Sequence, residues 1–276
     1  MRLLGRKIKP KSDNSLPESF QDGQPIVVKA ALSQSVGITR DHMEDAALCL
    51  VLQQGSCEQN HRIGLFAAAD GMGGHTNGEL ASSTAIQKFV ETFDPVKLGD
   101  RESFDPDEIQ VTLEQAFIVA QQAVLDTVKG GGSTLTAALV IDRDLYFAHV
   151  GDSRLYLVAE QGHAKVLTRD HSLVQRLVDL GQISPDEAEI HPQKNVLYRA
   201  LGQTDGFKVD VGYQQLEKPG HLVVCTDGLW GLVGEKKLLE IVRENTQIEN
   251  RAERLCKLAN DAGGTDNITV IVVDFF

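Results

Sequence analysis

The sequence predicts an α+β protein: a central β-sandwich of two antiparallel sheets flanked by pairs of helices. Three strand-like segments follow one another near the start of the chain with no helix between them, which favours antiparallel pairing. Two amphipathic helical patterns come next, and a second series of strands precedes another pair of helical patterns. Strand patterns outnumber helical ones, as expected when helices cover the outer faces of stacked sheets.

Composition limits the classes of function. The chain has 276 residues, of which 42% are apolar, enough for one large domain with a sizeable core. Its net charge of −12 argues against a broad surface for nucleic acid or anionic membranes, because phosphates would be repelled. No apolar run reaches the roughly 18 residues of a membrane span. The N-terminus lacks a secretory signal, and the four cysteines have no C-x-x-C spacing. We therefore expect a cytoplasmic protein, and a monomer.

The elements are predicted in order along the chain. Residues 1–25 contain three prolines among polar residues and predict a flexible tail, followed by one domain over residues 26–276. Helical spacing of apolar residues covers residues 79–93, 107–128, 235–244 and 248–262. Strand patterns cover residues 26–35, 46–52, 62–70, 134–141, 144–150, 153–160, 164–168, 208–216, 221–227 and 266–275.

One segment interrupts the strands. Residues 171–206 are rich in polar residues and short helical signals, including Ser184-Pro185 with Glu187, a pattern typical of a helix N-terminus. Because this segment is inserted between strands, we expect it to form a flap, near the active site, that shapes substrate choice.

Several carboxylates lie where strands end beside glycine. Asp70 follows LFAAA and precedes a glycine-rich loop, and Asp227 follows LVVCT and precedes a glycine. The others of this kind are Asp152 and Asp266, with Glu44 and Asp45 before an early strand. Each of them can be a separate turn residue. Taken together they favour a shared metal site, because buried carboxylates are costly unless cations neutralise them.

The candidate ligands are all oxygen atoms, which select Mg²⁺ or Mn²⁺ over zinc or copper. Two such ions close together activate a bridging water and hold phosphoryl oxygens, which is the chemistry of phosphate-ester hydrolysis. Arg40 lies four residues before Glu44, and a guanidinium group can bind two phosphate oxygens at once. A solvated surface arginine is the alternative for this residue.

Seven motifs carry a family resemblance, and they run in order over nearly the whole chain outside the tail. They are TRDHMED (39–45), ADGMGGH (69–75), GSTLT (132–136), HVGDSR (149–154), LTRDHS (167–172), CTDGLW (225–230) and GTDNITV (264–270). In these motifs the chain resembles the metal-dependent serine/threonine protein phosphatases of type 2C, in their bacterial form. The resemblance implies a signal-transduction hydrolase that removes phosphate from phosphoserine and phosphothreonine by attack of a water bridging two Mg²⁺ or Mn²⁺ ions, without a covalent phosphoenzyme.

The resemblance also implies roles for individual residues. Asp70 would bridge the two main metal ions, with the Gly71 carbonyl on one of them, and Arg40 would bind the substrate phosphate. Asp227 and Asp266 would serve the second metal. Further metal contacts are implied for Glu44 and Asp45, directly or through water, and for Asp152 at a possible third ion, with Asn267 and Thr134 in support. The expected partners are phosphorylated proteins, as substrates of serine/threonine kinases.

One position departs from the eukaryotic pattern of the family. Met72 stands where that pattern has a histidine proposed as the proton donor to the leaving alcohol, and the nearby His75 is not the matching residue. Two other functions stay open at this stage. One is a sensing or binding module of the same fold with impaired catalysis, which typically loses metal-site acids. The other is a small-molecule phosphatase, which would have a closed pocket instead of an open cleft.

Overall fold

The computed structural model describes residues 16–17, 19–20, 26–55, 60–92 and 105–276, and the elements below belong to these ranges. The strands are β1 (Val28–Ser35), β2 (Asp45–Gly55), β3 (Asn60–Met72), β4 (Gly132–Ser133), β5 (Leu135–Ile141), β6 (Asp144–Val150), β7 (Arg154–Ala159), β8 (Ala164–Val166), β9 (Asp210–Gln215), β10 (Gly220–Cys225) and β11 (Ile268–Phe275). The helices are α1 (His75–Thr92), α2 (Pro106–Thr127), α3 (Leu173–Asp179), α4 (Pro185–Glu189), α5 (Asp227–Trp230), α6 (Glu235–Val242) and α7 (Ile248–Asp261).

The strands form two antiparallel sheets. One has the order β1-β11-β10-β7-β8, and the other has the order β2-β3-β5-β6-β9 with the short β4 paired to β3. The last strand, β11, lies between β1 and β10, so the final residues of the domain are central to their sheet. The hairpin between β5 and β6 turns at Asp142, whose φ of 50° is the left-handed conformation that such tight turns require.

Three apolar cores separate four layers. The first lies between the second sheet and the helices α1 and α2, where Phe89 and Phe117 meet edge to face with ring centroids 5.6 Å apart. The middle core fills the space between the two sheets and includes Phe66 and Phe275. The third lies between the first sheet and the helices α6 and α7. The predicted α+β sandwich flanked by helix pairs is therefore the observed fold.

The boundaries differ from the sequence prediction in small ways. Helix α1 begins at His75, four residues earlier than the apolar spacing indicates, because its first turn is polar and carries no periodic signal. The predicted flap contains α3 and α4 and is joined to the second sheet at Leu201, which forms an isolated bridge with Ser133. The predicted helix start at Ser184 is a complete capping box with Glu187.

Most of the predicted N-terminal tail lies outside the described residues. Of the few that are described, Phe20 packs against the middle core, and the guanidinium of Arg143 lies 4.6 Å from the centroid of its ring. The short segment around Phe20 is therefore in contact with the sandwich. Within the described residues, no helix has the length and apolarity to cross a membrane.

Candidate metal centre

Strand ends bring the predicted aspartates to one end of the sandwich. Asp45 begins β2 and is the register partner of Asp70 near the end of β3. Asp227 begins α5 directly after β10, and Asp266 lies two residues before β11, the neighbour of β10. Asp152 lies in the short connection from β6 to β7 that links the two sheets. Five acidic residues that are far apart in the sequence thus come together.

The electrostatics show that four of these carboxylates, those of Asp45, Asp70, Asp152 and Asp227, are desolvated and lie close enough to affect one another. Burial, followed by repulsion from Asp227, Asp45, Asp152 and Asp266, raises the pKa of Asp70 well above its ordinary value. Burial is also the main reason that the pKa of Asp45 rises to about 7 and that of Asp227 to about 6. The pKa of Asp152 is raised well above its ordinary value by burial and then by Asp227. Concentrated negative charge of this kind is stabilised by a cation.

The available oxygen atoms fit a hard divalent cation. Oδ1 of Asp227 is buried and has no hydrogen-bond partner among the described residues, so its lone pairs are free for an ion. As placed, no group of three or more acidic, histidine or cysteine side chains of the described residues could hold a metal ion by itself. Mg²⁺ usually binds through one or two carboxylates and keeps several waters, so it does not need such a cage.

Hydroxyl groups hold the aspartates in place. Thr226 donates from Oγ1 to the carboxylate of Asp45 at 2.9 Å. The backbone N–H of Asp70 donates to Oγ1 of Thr134 at 2.8 Å, and the Thr134 hydroxyl also bonds to that of Ser153, 2.8 Å away. Sequence reasoning named Thr134 as a supporting residue but missed Thr226 and Ser153, because a threonine or serine next to a strand carries no distinctive spacing.

Gly71 occupies a position that only glycine fits. Its N–H donates to the carbonyl of Glu44 at 3.1 Å, and its Cα faces the backbone of Gly78 in α1. A Cβ at residue 71 would overlap the carbonyl oxygens of both Gly78 and Glu44. The peptide that follows Asp70 is therefore held tightly between β2 and α1.

We expect Gly71→Ala to lower the free energy of unfolding by about 2–3 kcal/mol, because backbone atoms must move to admit the methyl group. Thermal denaturation of the purified variant measures this. Gly234→Ala is the matched control, since a Cβ at residue 234 meets open space and its φ of −64° suits alanine. Equal melting temperatures for Gly71→Ala and Gly234→Ala would contradict the claim that the backbone around Gly71 leaves no room for a methyl group.

Asn267 joins the loop between β1 and β2 to the start of β11. Its Oδ1 accepts the N–H of Glu44 at 2.6 Å, and its Nδ2 donates to the carbonyls of Val36 and His42 at 2.8 and 2.9 Å. On the same loop, Arg40 donates from Nη2 to Oδ2 of Asp266 at 2.8 Å. This loop therefore places a guanidinium group at the rim of the aspartate group.

The side chain of Glu44 is directed to α1. Its Oε2 lies so close to Gly78 that a Cβ there would overlap it, and the Glu44 carbonyl accepts the Ser82 hydroxyl at 2.5 Å. Glu44, like Gly71, is thus a predicted ligand that packs against α1. Met72, at the end of β3, lines a small cavity with glycines of the β4 region and residues 200–203 near the end of the flap.

Trp230 connects Asp152 to the first sheet. Its indole N–H donates to the Asp152 carbonyl at 3.0 Å, and the guanidinium of Arg154 lies 3.6 Å from the centroid of its ring. Arg154 also binds Asp170 through two hydrogen bonds, of 3.0 and 2.7 Å. No role was predicted from the sequence for Trp230, Arg154 or Asp170, although all three lie inside the seven family motifs.

Comparison with known proteins identifies the family. Residues 33–177 match the family model described as protein phosphatase 2C, which is more than half of the chain. The chain belongs to the protein phosphatase 2C family. A relative, protein phosphatase PhpP of Streptococcus pneumoniae serotype 2, is 36% identical over 213 residues, covering 76% of this chain and 85% of that protein.

Solved structures of the family have the same fold. The serine/threonine phosphatase PstP/Ppp of Mycobacterium tuberculosis aligns with a TM-score of 0.75 and 32% identity, over 90% of this chain and 98% of that one. The catalytic domain of PstP in complex with two manganese ions aligns with a TM-score of 0.74 and 30% identity, over 91% and 99%. The predictions of a type 2C phosphatase and of its α+β sandwich are confirmed.

Proposed function

We propose that this protein phosphatase 2C removes phosphate from phosphoserine and phosphothreonine in proteins and depends on Mg²⁺ or Mn²⁺. The observation that carries the proposal is the aspartate group at the end of the sandwich, where burial, followed by repulsion from neighbouring carboxylates, raises the pKa of Asp70 and Asp227. Family membership supports the reaction type, and the two manganese ions of the PstP structure support the choice of metal.

The chain's own residues would do three things. The ions would be held by Asp70, Asp227, Asp266, Asp45 and Asp152, with the Gly71 carbonyl and Glu44 as further contacts. Bound Mg²⁺ or Mn²⁺ supplies Lewis acidity and lowers the pKa of a water molecule. Arg40 would orient the substrate phosphate, because its fork of N–H groups matches two phosphate oxygens. Asn267 would keep the Arg40 loop in register with Asp266.

The substrates would be proteins phosphorylated by serine/threonine kinases, acted on in the cytoplasm by a monomeric enzyme. Cys49, Cys225 and Cys256 are free thiols, which suits a reducing compartment. The flap of residues 171–206 borders the site through its bridge to Ser133, whose hydroxyl donates to the Asp70 carbonyl at 3.0 Å. That position supports a role for the flap in substrate choice.

The test is phosphate release from a phosphothreonine peptide by the purified protein. We expect turnover with Mn²⁺ or Mg²⁺, loss of turnover in excess chelator, and recovery when the metal is restored. Undiminished turnover in chelator would contradict the proposal. A small-molecule phosphatase would instead prefer compact phosphate esters to peptides by kcat/KM, and a binding module would release no phosphate from either.

Arg40→Gln is expected to raise KM for the peptide about tenfold or more, because the charged guanidinium group that would bind two phosphate oxygens is lost. The melting temperature should change little, since the pair with Asp266 is partly exposed and such pairs contribute at most about 1 kcal/mol. Steady-state kinetics and thermal denaturation measure both effects. Arg254→Gln, on α7, removes an equally exposed arginine outside the site and should leave KM unchanged.

A further inference from the structure

A polar cavity is formed mainly by residues of the flap. It has a volume of about 440 Å³, and three arginines line it: Arg169, Arg176 and Arg199. Asp179, Asp210, His171 and Tyr198 complete the lining. None of these residues is among the candidate metal or phosphate contacts, so the proposed reaction leaves this cavity unexplained.

The cavity carries an excess of positive charge. Arg169 pairs with Asp179, and Arg199 donates from Nη1 to Oδ1 of Asp210 at 2.9 Å. Arg176 pairs with no carboxylate among the residues that the structure describes, and its guanidinium lies 5.8 Å from the centroid of the Tyr198 ring. Three guanidinium groups thus face two carboxylates, in a chain whose net charge is −12.

His171 does not add to this charge. Its Nδ1 accepts the N–H of Gly151 at 3.0 Å, so Nδ1 carries no proton, and Nε2 at 3.0 Å from Asp210 is the donor. Burial is the main cause of a lowered pKa for His171, which keeps the ring neutral. Nη1 of Arg199 also lies close to Nε2 of His171, but both atoms are donors, so this contact is not a hydrogen bond.

One arginine has unused hydrogen-bonding capacity. The Nε–H of Arg199 is buried and finds no acceptor among the described residues. Arg199 thus lines the cavity with one buried N–H unsatisfied, and Arg176 lines it with a guanidinium that has no carboxylate partner among the described residues. Guanidinium donors of this kind match the oxygens of a carboxylate or a phosphate group.

The cavity is joined to the aspartate group at two points. The Gly151 carbonyl accepts the N–H of His171 at 2.7 Å, and Gly151 directly precedes Asp152. On the other side, Leu201 follows Arg199 by two residues and exchanges backbone hydrogen bonds of 3.1 and 2.8 Å with Ser133. These two connections fix the cavity-lining residues His171 and Arg199 relative to Asp152 and to the β4 strand that pairs with β3.

We propose that the three-arginine cavity binds a second anionic side chain of the substrate, so that the enzyme prefers phosphopeptides with a carboxylate or another phosphate near the target residue. This inference rests on the proposed phosphatase activity, and it names a substrate class for that same site. The rest of this acidic protein repels anionic substrates. A single cationic cavity would therefore let the enzyme distinguish peptides that carry an anion at the matching position from those that do not.

The test uses three kinds of phosphothreonine peptide with the full chain and Mn²⁺. The first has neutral flanks, the second has a single glutamate moved residue by residue along either flank, and the third has a second phosphothreonine at the best of those positions. We expect KM for an anionic flank to be about threefold to tenfold lower than for neutral flanks. A larger effect with glutamate or with phosphate identifies which anion the cavity takes.

Arg176→Gln should remove most of this preference without changing kcat, because it deletes an exposed charge and no ion pair. Arg176→Lys should keep part of the preference, and Arg254→Gln should keep all of it with the same change in net charge. Equal KM for anionic and neutral flanks in the unmodified protein, or an unchanged ratio in Arg176→Gln, would overturn the inference.

Failure of the proposed function gives a different result. A protein that releases no phosphate from any peptide contradicts the phosphatase activity but still allows a binding measurement. Calorimetric titration with the doubly phosphorylated peptide then decides the inference: weaker binding by Arg176→Gln than by Arg254→Gln supports the cavity as an anion site, and equal binding refutes it.

Discussion

Replacing Asp227 by asparagine is expected to lower the rate of phosphate release about a hundredfold to a thousandfold while the protein stays folded. Asp227 is the residue whose charge raises the pKa of Asp70, Asp152 and Asp45, so it is central to the aspartate group. Its buried Oδ1 has no partner among the described residues, and an amide there cannot replace a charged ligand. The expected size of the loss is typical for a preorganised electrostatic group.

The same variant should make the metal-free protein more stable, by an amount that increases with pH. The folded-state pKa of Asp227 is raised to about 6 from the ordinary 3.8. The protonated carboxyl therefore contributes fully to the free energy of unfolding below about pH 4, and this contribution is lost as the pH rises through 6. In excess chelator and in acid, Asp227→Asn and the unmodified protein should therefore have the same free energy of unfolding. Near pH 8 the free energy of unfolding of Asp227→Asn should be higher by about 1–2 kcal/mol.

Thermal denaturation in chelator across this pH range, with kinetics in Mn²⁺, measures both effects. Asp261→Asn on α7 is the matched control, because that carboxylate is exposed and pairs only with Lys257 at the surface. It should change neither turnover nor the pH dependence of stability. Normal turnover by Asp227→Asn would show that the site assignment is wrong.

Asn267→Ala is expected to cost about 3 kcal/mol of unfolding free energy and to reduce turnover strongly. The side chain is buried, and its removal leaves the N–H of Glu44 and the carbonyls of Val36 and His42 without their partner. Each unsatisfied buried group costs about 1–3 kcal/mol, and water reaching the loop recovers part of that. Turnover falls because Arg40 is carried by the same loop.

Two further variants distinguish the loss of the Asn267 hydrogen bonds from a general loss of stability. Asn267→Asp can still accept the N–H of Glu44 but cannot donate to the two carbonyls, so we expect an intermediate loss. Asn260→Ala is the control, since the side chain of Asn260 bonds to the Ser35 hydroxyl at 3.0 Å and not to Glu44, Val36 or His42. It should lower stability by about 1 kcal/mol and leave turnover intact. Turnover lost equally in both alanine variants would refute a specific role for Asn267.

The fold could be predicted almost completely from the sequence because its elements carry strong periodic signals. Apolar runs such as LTAALVI in β5 and ITVIVVDF in β11 are buried along their whole length, as central strands of a sandwich must be. The two-residue β4 could not be predicted, because it exists only through pairing with β3 and a bridge to Leu201. Contacts between distant segments leave no local pattern.

The aspartate group was predictable for a different reason. Asp70, Asp227 and Asp266 each stand between a strand and glycine, and the ordered motifs connect them to one family. The arginine cavity was not predictable, since Arg176 and Arg199 stand among other polar residues without spacing that joins them. Only the packing of the flap against Gly151 and Ser133 brings these arginines together.

The central place of β11 has a consequence for synthesis of the protein. Asp266 and Asn267 lead into this strand, and their partners Arg40 and Glu44 lie more than 220 residues earlier in the chain. Strand β11 must also insert between β1 and β10 to complete its sheet. A chain that still lacks β11 therefore carries Arg40, Asp45 and Asp70 without Asp266 and Asn267, and we expect phosphatase activity only after β11 has left the ribosome.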